Sequence, residues 1–312
     1  MTKILITGAL GQIGTALTSA LNSKYGEENV VISDIRDEYE SSNNYIKLNI
    51  LDKLELEKAI VENKISVIYH LAALLSATGE KNPIFCWEVN MNGTMNVLDL
   101  SVKHKLNRVF VPSSIAVWGE GINKEYTGQD SILKPTTMYG VTKVAGELLA
   151  NYYFEKYGLD VRGIRYPGII SSETLPGGGT TDYAVEIFYE AIKNNNYNCF
   201  LSENTKLPMM YMEDCVNATL SLMDAPVENL NHHADFNVAA ISFTPKELSE
   251  EIKKHIPSFT ITYNPDYRQK IADSWPQVID DSSARSEWGW KHKYDLEMMT
   301  KTMIENLKIK LV

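Results

Sequence analysis

The chain has 312 residues, with 30 basic and 40 acidic side chains and a formal charge of −10. Hydrophobic residues make up 44% and charged residues 22%, a globular balance that excludes a disordered chain and supplies a core without disulfides or structural metal. An acidic chain with no long Lys/Arg run excludes nucleic acid as a partner, and its apolar runs are too short to cross a bilayer.

In chain order, short β-branched runs alternate with stretches of helical period. Residues 3–7, 30–34, 45–48, 67–71, 108–113 and 160–166 read as strands, and 12–24, 53–63, 83–104 and 138–157 as helices. Strand and helix repeated in this way imply a doubly wound α/β domain over residues 1–170, a parallel sheet with right-handed crossovers and helices on both faces. After Pro167 the pattern loosens. Residues 172–181, rich in Gly, Ser and Thr, read as a loop. Helices are expected at 182–194, 213–225, 244–255 and 295–309, with strands at 235–238 and 259–262. Residues 171–312 thus form a smaller α+β portion, packed on the first without a clear linker.

The opening MTKILITGAL lacks the small-residue cleavage site of an export signal, so a cytoplasmic protein is expected. Cys86, Cys199 and Cys215 are widely spaced, and His232 and His233 have no partner at ligand spacing. Buried thiols and no metal site are the expectation.

The first chemical signal is Thr7-Gly8-Ala9-Leu10-Gly11-Gln12-Ile13-Gly14, between the first strand and the first helix. Gly8, Gly11 and Gly14 allow a tight turn and a close backbone approach to a pyrophosphate. The helix start at Gln12 and Ile13 supplies free N–H groups and a positive dipole end. Asp34 ends the second strand, 20 residues after Gly14. A carboxylate there accepts hydrogen bonds from both ribose hydroxyls of adenosine and repels a 2′-phosphate, which favours NAD over NADP. Arg36, two residues on, is the group placed to receive such a phosphate. Asp52 is a candidate for the adenine edge, or a cap for the helix that follows.

Tyr139 and Lys143 stand four residues apart on a helix and so share a face. A tyrosine titrates near pH ~10 in water. A neighbouring ammonium and a positively charged nicotinamide favour the phenolate, which can then take the proton of an alcohol as hydride leaves the carbon. Ser114 closes a strand, where ligand chemistry gathers in open α/β sheets, and its hydroxyl can orient the substrate oxygen. Ser113 is the competing serine.

Together these marks resemble the extended short-chain dehydrogenase/reductase family. To them are added His70-Leu71-Ala72-Ala73, Val89-Asn90 with Gly93-Thr94, and Arg165-Tyr166-Pro167-Gly168. The resemblance runs from Gly8 to the C-terminus. It implies a Rossmann-type sheet and bound NAD, with Leu71, Ala72, Ala73, Asn90, Tyr166 and Pro167 beside the cofactor. The run Pro176–Tyr183, then Ser274-Trp275-Pro276, then Asp280–Arg285 with Trp288-Gly289-Trp290, is similar to one branch of that family, the short-chain type of L-threonine 3-dehydrogenase. That resemblance implies oxidation of the L-threonine side-chain hydroxyl to 2-amino-3-ketobutyrate, with Ser76, Ser114, Tyr139, Gly179, Thr180 and Thr181 around the substrate. In that mechanism Tyr139 is the base, Lys143 lowers its pKa, and Ser114 positions the reacting oxygen.

Gly177 to Gly179 can hinge a lid. Asp182 is either a partner for the substrate ammonium or a helix cap, and Arg285 either holds a carboxylate or makes a structural ion pair. The family also contains nucleotide-sugar epimerases and dehydratases. Against that alternative, only Arg268 and Arg285 follow Arg165, a poor supply for clamping a diphosphate. A non-catalytic NAD-binding protein would have no need of Ser114, Tyr139 and Lys143 together. Leu148, Leu149, Tyr152 and Tyr153 on the helix at 138–157 offer apolar surface for a homodimer through a four-helix interface.

Overall fold

The computed structural model describes residues 2–37, 44–175, 177 and 179–311. Its main sheet is built from β1 (Ile4–Thr7), β2 (Val30–Asp34), β3 (Tyr45–Lys47), β4 (Val67–His70) and β5 (Arg108–Phe110). The chain then leaves it for a two-residue strand, β6 (Ser113–Ser114), and returns as β7 (Val161–Arg162). All pairs in this sheet are parallel, in the order β3-β2-β1-β4-β5-β7. β1 and β2 are buried along their whole length, which is why they read as nearly unbroken apolar runs.

The crossovers carry α1 (Gln12–Tyr25), α2 (Lys53–Glu62), α3 (Ser76–Lys81), α4 (Pro83–Trp87), α5 (Gly93–Lys103) and α6 (Met138–Tyr157). One apolar cluster, with Leu5, Val97, Val109 and Tyr153, fills the face under α2, α5 and α6. A second, with Ile6, Leu17, Phe110 and Leu222, fills the opposite face.

Three expected elements are broken by tertiary contacts. The helix at 83–104 is α4, a π-helical turn at Glu88–Asn92, and α5. Gly93 begins α5 where a Cβ would meet the Ile50 side chain at 2.5 Å. The strands at 108–113 and 160–166 are each split, at Pro112 and at Gly163. Proline cannot donate to a ladder, and a Cβ at Gly163 would stand 2.4 Å from the Val111 carbonyl. β6 therefore joins a second small sheet with β8 (Ile164–Tyr166).

Beyond it come β9 (Gly168–Ile170), α7 (Tyr183–Asn194), β10 (Asn196–Cys199), β11 (Leu207–Tyr211) and α8 (Met212–Asp224). They are followed by β12 (Phe236–Asn237), β13 (Ile241–Phe243), α9 (Pro245–His255), β14 (Thr260–Tyr263), α10 (Tyr267–Ala272), α11 (Ser282–Trp288) and α12 (Leu296–Leu311). These strands form three small sheets, β12-β8-β6, β13-β11-β9 and β10-β14. A third apolar cluster, with Tyr183, Phe188, Leu248 and Met303, lies among α7, α9 and α12. α8 packs beside α1, so the second half lends a helix to the first layer.

The three cysteines are buried free thiols. No described helix is long and apolar enough to cross a membrane. Of the four apolar positions expected on the outer face of α6, Leu148 and Tyr152 are exposed. Tyr153 is instead buried in its own chain, and Leu149 packs against that same core.

Candidate active site

The carboxyl ends of the central strands open on a cleft of ≈ 260 Å³. Its floor is the glycine turn. Gly8 adopts φ +69° after β1, and a Cβ there would stand 2.6 Å from the Ala72 amide nitrogen. Gly11 N–H donates to Gly8 O at 3.1 Å, and Thr15 N–H to Gly11 O at 3.0 Å, which turns the chain directly into α1. Gly14 lies against that turn so closely that a Cβ would meet Gly8 O at 2.5 Å. Gly11 provides no capping side chain, leaving the first turn of α1 uncapped where Gln12 and Ile13 line the cleft.

Asp34, buried at the end of β2, accepts the Leu10 N–H at 3.2 Å and so faces the same turn. The exposed Arg36 guanidinium donates to Leu10 O at 3.2 Å and approaches Asp34 Oδ1 to 3.6 Å. These residues fit a dinucleotide: a bare helix start for the pyrophosphate and a buried carboxylate for the ribose. Asp52 is the cap of the helix that follows β3. Its carboxylate accepts Leu54 and Glu55 N–H at 3.0 Å each, capping α2, and it is not among the cleft-lining residues.

Leu71 and Ala73 line the cleft, and Ala72 packs under Gly8. Asn90 lies deeper, in the wall of a second chamber. Its amide accepts Leu74 N–H at 2.8 Å, donates to Leu74 O at 3.1 Å, and reaches Thr142 Oγ1 at 3.0 Å. Asn90 therefore clasps the loop after β4 to α6 and does not line the cleft. Tyr166 and Pro167 both line the wall, and the Tyr166 hydroxyl is bonded to Thr219.

Ser114, Tyr139 and Lys143 converge in the cleft. Thr137 caps α6 by accepting Gly140 N–H at 3.1 Å, and the Glu80 carboxylate accepts Met138 N–H at 2.7 Å, so the helix begins firmly just before Tyr139. Burial pushes the Tyr139 phenol up to about 12, against the pull of its hydrogen bond with Ser114. Lys143 is pushed down to about 8 by burial. Its Nζ donates to Pro112 O at 2.8 Å and lies 5.4 Å from the Tyr139 ring centroid. Burial sets the direction of the phenol's shift, and the pull against it comes from Ser114 and not from this ammonium. His70, beneath the floor, is held near 3 by burial. Thr94 Oγ1 donates to Asn90 O at 2.6 Å and so accepts from His70 Nε2, which leaves Nδ1 to accept from Thr7 Oγ1 at 2.8 Å: a neutral imidazole.

The opposite wall comes from the loop before α7. Ser76, Gly179, Thr180, Thr181 and Asp182 all line the cleft. Gly178 of the expected hinge, and Pro176 just before it, lie outside the described residues. Asp182 Oδ2 accepts Gly179 N–H, folding the loop back on itself. Trp275 completes the wall, buried after α10. Arg285 does not line the cleft. It forms a two-pronged pair with Asp281, at 2.7 and 2.9 Å. Among the described cleft-lining residues Lys143 carries the only ammonium and Asp182 the only carboxylate. Leu75, Ile115 and Ile169 also line the cleft and were not foreseen; apolar residues carry no chemical signature that separates a cleft wall from a core.

The parallel sheet, the glycine turn with its carboxylate, and the serine, tyrosine and lysine together define a dinucleotide-dependent oxidoreductase site. The chain belongs to the NAD dependent epimerase/dehydratase family, whose sequence profile matches residues 4–239. Within it, the chain is similar to L-threonine dehydrogenases. The mitochondrial L-threonine 3-dehydrogenase of Bos taurus is 49% identical over 306 residues, 97% of this chain and 82% of that one. The X-ray structure of L-threonine dehydrogenase from Clostridium difficile matches with a TM-score of 0.97 at 48% identity, covering 99% of this chain and 98% of that one. A monomeric L-threonine 3-dehydrogenase of metagenomic origin matches with a TM-score of 0.96 at 50% identity, covering 98% and 99%.

Proposed function

We propose that this chain is an NAD-dependent L-threonine 3-dehydrogenase, oxidising the side-chain hydroxyl to the ketone of 2-amino-3-ketobutyrate. The observation that carries the reading is the near-full-length identity to L-threonine dehydrogenases together with a cleft that holds Ser114, Tyr139 and Lys143. When bound, NAD supplies the hydride acceptor and a positive ring charge beside Tyr139. The glycine turn and the start of α1 hold the pyrophosphate, and Asp34 holds the adenosine ribose, with Arg36 paired to it across the mouth. Tyr139, as phenolate, removes the hydroxyl proton of threonine. Lys143 holds the nicotinamide ribose, and Ser114 donates to the reacting oxygen.

Ser76, Gly179, Thr180 and Thr181 offer donors to the small carboxylate, and Asp182 is the carboxylate on the same wall that would meet the ammonium. Residues 1–170 thus supply the cofactor site and 171–312 mainly the substrate wall. The nucleotide-sugar alternative needs a second diphosphate clamp, and the cleft-lining residues include no arginine among those described.

The homodimer remains part of this reading. Trp87, Met95, Val141, Leu148 and Tyr152 expose apolar surface along α4, α5 and α6, the face an isologous four-helix contact would cover. A solution mass at the monomer value at micromolar concentration refutes it. Buried thiols support a reducing, cytoplasmic setting.

The test is NADH absorbance with L-threonine, D-threonine, L-allo-threonine and L-serine, each with NAD and NADP. Turnover favouring L-threonine with NAD is expected. No turnover with any of them, while NAD still binds, removes the amino-acid assignment.

A further inference from the structure

The catalytic groups reach the cleft from two elements that their own backbones do not hold together. Tyr139 and Lys143 stand on the 20-residue α6, whereas Ser114 stands on β6, which is 2 residues long. Ser114 Oγ accepts the Ala116 N–H at 3.2 Å, so its local setting is this short strand and the turn that follows it.

Behind it lies the second chamber, whose walls include His70, Thr142, Lys143, Ser113 and Glu147. Glu147 is one turn beyond Lys143 on α6 and is only 4% exposed. Its carboxylate accepts the Ser113 hydroxyl and, with both oxygens, one edge of the Arg165 guanidinium, Nε to Oε1 at 2.9 Å and Nη2 to Oε2 at 2.8 Å. Arg165 Nη1 continues to Gln129 O at 2.8 Å and Asn237 Oδ1 at 3.1 Å, with Asp235 at 3.9 Å from Nη2. Ser113 and Arg165 are direct cross-strand neighbours in the β6–β8 pairing. One carboxylate on the helix of Tyr139 and Lys143 therefore grips β6 and β8, two neighbouring strands of the sheet that carries Ser114.

A buried ion pair is a weak way to hold a fold, because desolvation cancels much of its attraction and apolar residues of similar volume serve as well. What it does supply is direction, through a bidentate fork and a fixed hydroxyl. We propose that Glu147 is a positioning residue of the reaction assigned above: through Ser113 and Arg165 it sets the reach of Ser114 to Tyr139 and the substrate oxygen. The inference rests on that functional reading.

The test compares Glu147→Gln, Ser113→Ala, their double variant and the apolar pair E147M/R165M. Measured are kcat and KM for L-threonine, the NAD dissociation constant, and the unfolding midpoint. Glu147→Gln is expected to lower kcat by roughly ten- to a hundredfold, with KM and NAD affinity within about twofold, as for reacting groups displaced by a fraction of an ångström. Ser113→Ala is expected to add little in the Glu147→Gln background, since both act through one hydrogen bond. E147M/R165M removes both charges of the pair at once and leaves Asp235 with His232 at 4.0 Å. It is expected to keep the unfolding midpoint and still lose about tenfold or more in kcat. Wild-type kcat in that stable pair variant, a loss confined to KM, or additive single effects overturn the positioning role while leaving the dehydrogenase reading intact. No turnover in the unsubstituted chain overturns that reading, and this inference with it.

Discussion

Alanine in place of Gly11 or Gly14 separates a glycine needed for folding from one needed for cofactor approach. At Gly14 the added Cβ would stand 2.5 Å from Gly8 O and 2.7 Å from Ala9 O, both backbone atoms of the turn. Such overpacking costs about 1–3 kcal/mol, offset by up to ~1 kcal/mol of better helix propensity. Gly14→Ala should therefore destabilise the empty chain by about 1–2 kcal/mol. At Gly11 the Cβ would have a single neighbour, Gly8 O at 3.2 Å, and the backbone at φ −77°, ψ 174° is one that alanine adopts freely. Restricting the unfolded chain then favours alanine by up to ~1 kcal/mol, so the empty chain should change by no more than about 0.5 kcal/mol either way. The same methyl enters the cleft where the pyrophosphate must approach the backbone. NAD affinity should fall by about ten- to a hundredfold, or roughly 1.4–2.8 kcal/mol. Urea unfolding without cofactor gives the first quantity and an NAD titration the second. If Gly11→Ala destabilises the empty chain as much as Gly14→Ala, or leaves NAD affinity within twofold, the glycine turn does not cradle the dinucleotide in the way argued.

Tyr139→Phe should bind NAD normally and lose about 10²–10⁴-fold in turnover. Since burial holds the phenol near 12 in the empty chain, wild-type turnover should climb about tenfold per pH unit on its acid side; a profile flat from pH 6 to 8 contradicts the base role. The imidazole of His70 is depressed from 6.5 to about 3, so the unfolded chain binds the extra proton first. The stability it contributes is complete above pH 6.5 and lost as pH falls toward 3, at most about 5 kcal/mol. His70→Gln should be less stable at pH 7 yet lose less between pH 7 and 4 in urea titrations, and an unchanged slope would tell against a neutral buried His70. The Tyr183 hydroxyl is fully buried with no hydrogen-bond partner among the described residues. Tyr183→Phe should raise stability by about 1 kcal/mol, and a lower unfolding midpoint counts against that.

What was legible in the sequence follows from the range of the forces involved. α1, α2, α6 and α9 match their expected spans within a residue or two, because apolar spacing and caps such as the Thr244–Glu247 box are local signals. Six- and seven-residue helices such as α3 and α11 are too short to show a period, and β11 (LPMMY) is buried on both faces and does not alternate. Spacing brought Tyr139 and Lys143 onto one face, and chain order brought Ser114 to them. Burial, which fixes the state of both titrating groups, is a property of the assembled fold and left no mark in the spacing. The same holds for the arginines. Arg162 is consumed by Asp160 and the carbonyls of Leu222 and Ala225, Arg165 by Glu147, Arg268 by Asp266, and Arg285 by Asp281. Counting them predicted a cleft poor in guanidinium, and their pairing makes it poorer still. An acidic chain can still receive an anionic dinucleotide here, because the attraction comes from backbone N–H groups at the start of α1 and one lysine, not from net charge. That economy leaves little charge to spare beyond the cofactor, which suits a small zwitterion better than a second diphosphate.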